Sequence, residues 1–103
     1  MDEVIEILND RAMKPTEKRK LLISALRGTD SIGNVLKTVC EFNEKQIALI
    51  MEAVEEITRD EKVENSQTFL MFARGYICAN HNSLRREASR VIGNLASKCA
   101  DQM

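Results

Sequence analysis

The chain has 103 residues, of which 44% are hydrophobic and 30% charged, with one Pro and four Gly. This length fits one domain, the composition excludes a disordered polar chain, and no apolar run approaches the roughly 20 residues that cross a bilayer. Fifteen basic and sixteen acidic residues leave a formal net charge of −1, so no global field favours nucleic acid or an anionic membrane.

Helix formers dominate and strand-type alternation is absent, which makes an all-α chain the expectation. The first helix is predicted over about residues 2–13, with Asp2 as its cap and Val4, Ile5, Leu8 and Ala12 on one face. Pro15 ends it, because the residue before a proline avoids the α region. The second helix spans about 15–27, with Leu21, Leu22, Ala25 and Leu26 inward and Gly28 at the position after its C-cap. The third starts near Asp30 or Ser31 and runs to about Phe42, turning Ile32, Val35, Leu36, Val39 and Cys40 inward. Asn43, followed by Gln46 at the third helical position, has the capping-box pattern for a fourth helix that ends near Arg59. Its face is Ile47, Ile50, Met51, Val54 and Ile57. Residues 60–65 are polar, although Val63 is among them, and read as the longest loop. The fifth helix, about 66–79, is apolar nearly all round, and a helix with so little polar surface is expected to be central. After the turn 80–83, Asn82 or Ser83 caps a sixth helix bearing Leu84, Ala88, Val91, Ile92, Leu95 and Cys99.

Residues 30–63 repeat in residues 68–101 at a spacing of 38. Ile32 falls on Leu70, Val35 on Ala73, Val39 on Ile77 and Cys40 on Cys78. Further along, Ile50 falls on Ala88, Ala53 on Val91, Val54 on Ile92 and Ile57 on Leu95. The second helix joins at a shorter offset, with Leu22, Ala25 and Leu26 on Ile50, Ala53 and Val54. Self-similarity of this period is the signature of a stacked helical array, whose units bury their apolar faces only against one another.

Within the sixth helix, Leu84, Arg85, Ala88, Ile92-Gly93 and Leu95 follow a short turn in the order found in the second helix of a HEAT repeat. Residues 30–101 therefore resemble two HEAT or armadillo-like units. The match weakens around residues 43–57, where Ile47 stands in the place of Arg85 and Glu55 in the place of Gly93. The resemblance implies one domain over residues 1–103, with 1–28 as a degenerate or capping helix pair and 30–63 and 68–101 as repeats. It implies three antiparallel helix pairs stacked as a short right-handed superhelix lined by the second, fourth and sixth helices. Proteins of this kind act mainly as scaffolds or adaptors, and a minority bind or modify nucleic acid.

Chemistry-bearing residues are sparse. Cys40, Cys78 and Cys99 are odd in number and sit at apolar helical positions, so buried thiols in a reducing cytoplasm are expected, and a Cys40–Cys78 disulfide is the alternative. The start Met1-Asp2-Glu3 is acidic and lacks the basic, apolar opening of a signal peptide, which also favours the cytoplasm. His81 is the single histidine, and with Cys78 it offers two ligands where a metal site needs more. No nucleophile–base pair, phosphate-cradling loop or cofactor motif occurs, so no catalytic, metal or cofactor residue is assigned.

Charge is patterned instead. Lys18, Arg19 and Lys20 lie on the second helix, Glu52, Glu55 and Glu56 on the fourth, continued by Asp60, Glu61 and Glu64, and Arg85, Arg86 and Arg90 on the sixth. Side by side, these helices read basic, acidic, basic. Solubility alone accounts for such charges, but the pattern also suits a protein or peptide partner of complementary charge. The expected contacts are Arg19, Glu52, Glu55, Arg86 and Arg90, with Met51 as an apolar anchor. A nucleic-acid binder using the outer basic helices, and a homo-oligomer formed through the open ends of the stack, are the alternatives.

Overall fold

A computed structural model describes residues 2–27, 32–60 and 65–96. Six helices follow one another: α1 (Asp2–Asn9), α2 (Pro15–Arg27), α3 (Ile32–Val39), α4 (Glu44–Thr58), α5 (Ser66–Arg74) and α6 (Asn82–Ala96). Among the described residues there is no strand. The radius of gyration is 12.7 Å, close to the roughly 13 Å of a compact domain of this length.

The middle position belongs to α4, which packs on α2 along one side and on α6 along the other. α1 lies against α2 and α5 against α6, while α3 approaches α5 more closely than α4. The width of the α4 apolar face explains its place. Ile47, Ile50, Met51, Ala53, Val54 and Ile57 are all buried, which needs a neighbour on each flank. Leu22 and Leu26 on α2 and Leu84, Val91 and Leu95 on α6 are sealed into the same core. Each fully buried side chain of this size contributes about 1.5–3 kcal/mol relative to an exposed one.

The expectation that the fifth helix is central is corrected. α5 buries Phe69, Leu70, Phe72 and Ala73, but Met71 is 70% exposed. The helix also stops at Arg74. Gly75, a weak helix former, takes the C-cap, and the chain tightens into bonds from the Gly75 N–H to the Phe72 carbonyl (3.2 Å) and from the Tyr76 N–H to the Ala73 carbonyl (3.0 Å). Residues 77 and 78 thereby leave the inward face, so Ile77 and Cys78 are exposed. Tyr76 stays half-buried, its ring 5.4 Å from that of Phe72 in an edge-on arrangement. Burial, then a hydrogen bond with Cys40, pushes its hydroxyl well above the usual phenol range.

Other helix ends shift for similar local reasons. α1 ends at Asn9 instead of near Met13, because the Asp10 carboxylate accepts the N–H groups of Ala12 (2.9 Å) and Met13 (3.1 Å) and offers the backbone an alternative to the helix. Lys18 donates through Nζ to the Leu8 carbonyl at 3.2 Å, so one lysine of the expected basic face closes the end of α1. α3 ends at Val39, three residues early, and its last turn tightens through the Phe42 N–H to the Val39 carbonyl. Cys40 is therefore exposed, and it and Cys78 are free thiols, correcting the expectation of buried ones and the disulfide alternative. The Asn43 cap is as predicted: its Oδ1 accepts the Gln46 N–H at 2.9 Å. The Gln46 side chain, however, reaches Asn9 Oδ1 at 3.3 Å and links α4 to α1. α6 begins one residue earlier than a cap at Asn82 implies. His81 is the capping residue, accepting the Leu84 N–H on Nδ1 at 3.3 Å and the Arg85 N–H on its carbonyl at 3.0 Å.

Burial follows the 38-residue spacing at most positions. Ile32 and Leu70, Val35 and Ala73, Ile50 and Ala88, Ala53 and Val91, and Ile57 and Leu95 are buried pairwise. Val39 against Ile77 breaks the pattern, for the reason given at Gly75. The Asp2 side chain, Gly28, Asp30, Ser31, Glu61, Val63, Glu64 and Cys99 lie outside the described residues, as do the roles expected of them.

Candidate interaction surface

The packing of α2, α4 and α6 side by side brings their charged positions to one cleft. A cavity of about 200 Å³ is lined by Arg19 from α2, by Glu52, Glu55, Glu56 and the C-cap residue Arg59 of α4, and by Glu87 and Arg90 from α6. Four of the six expected contact residues, Arg19, Glu52, Glu55 and Arg90, thus converge. Three guanidinium groups meet four carboxylates there.

Much of this charge is paired within the chain. Arg19 Nε stands 3.5 Å from Glu56 Oε2, and Arg27 pairs with Asp60, joining α2 to α4. The acidic row of α4 is in this way partly neutralised by α2, and the basic–acidic–basic surface is a set of cross-helix pairs. Arg59 clasps Glu55 with both arms, Nε to Oε2 at 2.5 Å and Nη2 to Oε1 at 2.8 Å. Glu55 is buried, whereas Arg59 is largely exposed and held firmly protonated, first by that hydrogen bond. Glu87 is nearly buried and accepts from Arg90 Nη1 at 3.0 Å.

Two groups are left over. The Nε atom of Arg19 is buried and has no hydrogen-bond partner among the described residues, although Glu56 is close enough for an ion pair. The Glu52 carboxyl is raised above the ordinary glutamate value, first by burial and then by Glu87, against the lowering influence of Arg19 and Arg86.

Arg86 is exposed and does not line this cavity; it lies with Arg85 in an adjoining groove that shares Arg90 with the cleft. Met51 is corrected as a contact residue: at 0% exposure it is part of the core beneath the cleft and cannot anchor a partner. Arg59, Glu87 and Asn94 were not singled out by sequence reasoning. The signals were present as Glu55–Arg59 at a spacing of four and Glu87–Arg90 at three, which place opposite charges on one helical stripe. Asn94, which donates to the Glu55 carbonyl and the Thr58 hydroxyl across the α4–α6 contact, has no such signature.

Comparison with protein-family models, curated proteins and solved structures found no match.

Among the described residues, no group of three or more His, Cys, Asp or Glu side chains is placed to hold a metal ion. No helix there is long and apolar enough to cross a membrane.

Proposed function

We propose that the chain is a non-enzymatic protein-interaction module, a short HEAT-like stack of three helix pairs that docks a protein or peptide on the face formed by α2, α4 and α6. The side-by-side order of α2, α4 and α6, the approach of α3 to α5, and the shared burial of positions 38 residues apart support the stacked reading. The observation that carries the binding reading is the cleft itself. Three adjacent helices converge charged side chains on it, and Arg19 Nε keeps a hydrogen bond unspent there.

Glu52 beside Glu87 has the look of an acid–base pair, in which one carboxyl is raised. Arg19 and Arg86 oppose that shift and Glu87 is committed to Arg90, which favours a charge-matched docking surface over hydrolysis. The carboxylates of α4 interrupt the positive path that phosphate tracking would require. The exposed free thiols of Cys40 and Cys78 suit a reducing, cytoplasmic setting.

The test is capture from native lysate by wild type and by Arg86→Glu. Arg86 is exposed and makes no hydrogen bond or ion pair among the described residues, although its charge reaches Glu52, so thermal melts of the variant accompany the capture. Adding Arg90→Glu would strip the nearly buried Glu87 of its partner and confound binding with stability. A protein bound by wild type and lost by Arg86→Glu at equal thermal stability is expected. Identical capture by both, or capture abolished by nuclease, would refute the reading.

A further inference from the structure

The groove that adjoins the cleft at Arg90 differs from it chemically. It measures about 690 Å³ and is walled by Ile77, from the turn after α5, and by Asn82, Arg85, Arg86, Ser89 and Arg90. Three guanidinium groups line it and no carboxylate does. Arg85 is held in place by two neutral acceptors, donating through Nη1 to the Ala79 carbonyl at 3.2 Å and through Nη2 to Asn82 Oδ1 at 2.7 Å. Arg90 spends Nη1 on Glu87. Arg86 makes no hydrogen bond or ion pair among the described residues, although its charge reaches Glu52. Ile77 adds an apolar side chain, 42% exposed, where the repeat pattern places a buried one.

We propose that this groove binds an acidic linear peptide carrying an apolar side chain. The peptide's carboxylates pair with Arg86 and with the free nitrogens of Arg85 and Arg90, in the forked geometry that guanidinium groups favour. Its apolar residue covers Ile77. The spacing suits an extended segment. Acidic residues at alternate positions stand about 7 Å apart, and Arg86 and Arg90, one helical turn apart, are separated by about 6 Å along the axis. A nucleic acid is the poorer fit. The groove has no aromatic ring on which a base could stack, and Ile77 gives a phosphate nothing. The proposal rests on the reading of the chain as a protein-binding module and gives its partner a chemistry.

The experiment is fluorescence anisotropy with a labelled probe peptide whose core is Glu-Leu-Glu between Gly-Ser flanks. Two control probes replace Glu by Lys or Leu by Ser, and a single-stranded DNA oligonucleotide serves as competitor. Saturable binding of the first probe is expected, weakened about fivefold or more by Arg86→Glu and less strongly by Ile77→Ser or by loss of the Leu. Both substituted side chains are exposed, and unchanged thermal melts would confirm that the variants fold. No saturable binding, binding untouched by either variant, or tighter binding of the DNA would overturn the proposal. If the probe fails while a lysate protein is still captured in an Arg86-dependent way, the acidic partner is wrong and the protein-binding reading stands. If both fail, both fall.

Discussion

The side-chain amide of Asn94 on α6 donates to the main-chain carbonyl of Glu55 on α4 at 3.1 Å, and the same nitrogen lies 3.2 Å from the hydroxyl of Thr58. Thr58 in turn donates to the Glu55 carbonyl at 2.9 Å, which closes a three-membered polar knot between the helices. It joins α6 to α4 at Glu55, whose side chain lines the charged cleft. Asn94→Ala is expected to lower stability by about 0.5–1.5 kcal/mol, since the Glu55 carbonyl loses one of its two side-chain donors and keeps Thr58. Urea denaturation would measure the loss, and a change under about 0.3 kcal/mol would show that the knot contributes nothing to the packing.

The ion pairs of α2, α4 and α6 are unequal, and burial decides the order. Arg27 and Asp60 are both half-exposed, so Arg27→Ala should cost at most about 0.5 kcal/mol. Arg90 neutralises the nearly buried Glu87, and Arg90→Ala should cost about 1 kcal/mol or more, because it leaves a carboxylate without a partner. Adding Glu87→Gln to Arg90→Ala should recover most of that loss. Equal costs for the two arginines in thermal or chemical unfolding would contradict this ranking.

Glu52 is expected to make stability fall as pH rises. Its carboxyl is raised in the folded state, so the folded protein holds that proton more tightly than the unfolded chain does. The resulting stability is fully present below the unfolded value and is lost as pH climbs through the raised one. The window therefore opens near pH 4.5 and extends upward. Glu52→Gln should be more stable than wild type at pH 7, and the advantage should vanish toward pH 4. Melting curves across that range would check it, and a difference that does not change with pH would show that Glu52 titrates normally.

Gly93 carries part of the HEAT resemblance, yet a Cβ placed there meets nothing within 4 Å. Inside α6 the glycine weakens the helix with no packing return among the described residues. Gly93→Ala is expected to stabilise the protein by about 0.5–1 kcal/mol. A loss of stability in a thermal melt would contradict the open space over this position.

The helical class, the order of the elements and most of the core were legible, because periodicity reports an inward face directly. Leu22, Ile50, Leu84 and Leu95 are all fully buried as the pattern implies. Helix ends were harder, since they depend on single side chains competing for backbone groups. Asp10 and Gly75 shorten α1 and α5, and His81 caps α6 where Asn82 or Ser83 was expected. Met51 shows the limit for the site. A methionine on a wide apolar face reads equally well as core or as anchor, and only the presence of both α2 and α6 beside α4 decides for the core. The charges on α2, α4 and α6 were visible in the sequence, but their mutual neutralisation was not. Arg19 and Glu56 are 37 positions apart and meet only because the helices pack side by side.

The most direct test of the interaction surface is photo-cross-linking in native lysate with a benzophenone side chain placed at Arg86, at Lys20 on α2 and, as control, at Asn34 on α3. All three positions are exposed, so none should disturb the core. A protein adduct of one defined mass from positions 86 and 20, and none from 34, is the predicted result. Adducts formed equally from all three positions, or none from 86 and 20, would contradict the assignment of the α2, α4 and α6 face as the docking surface.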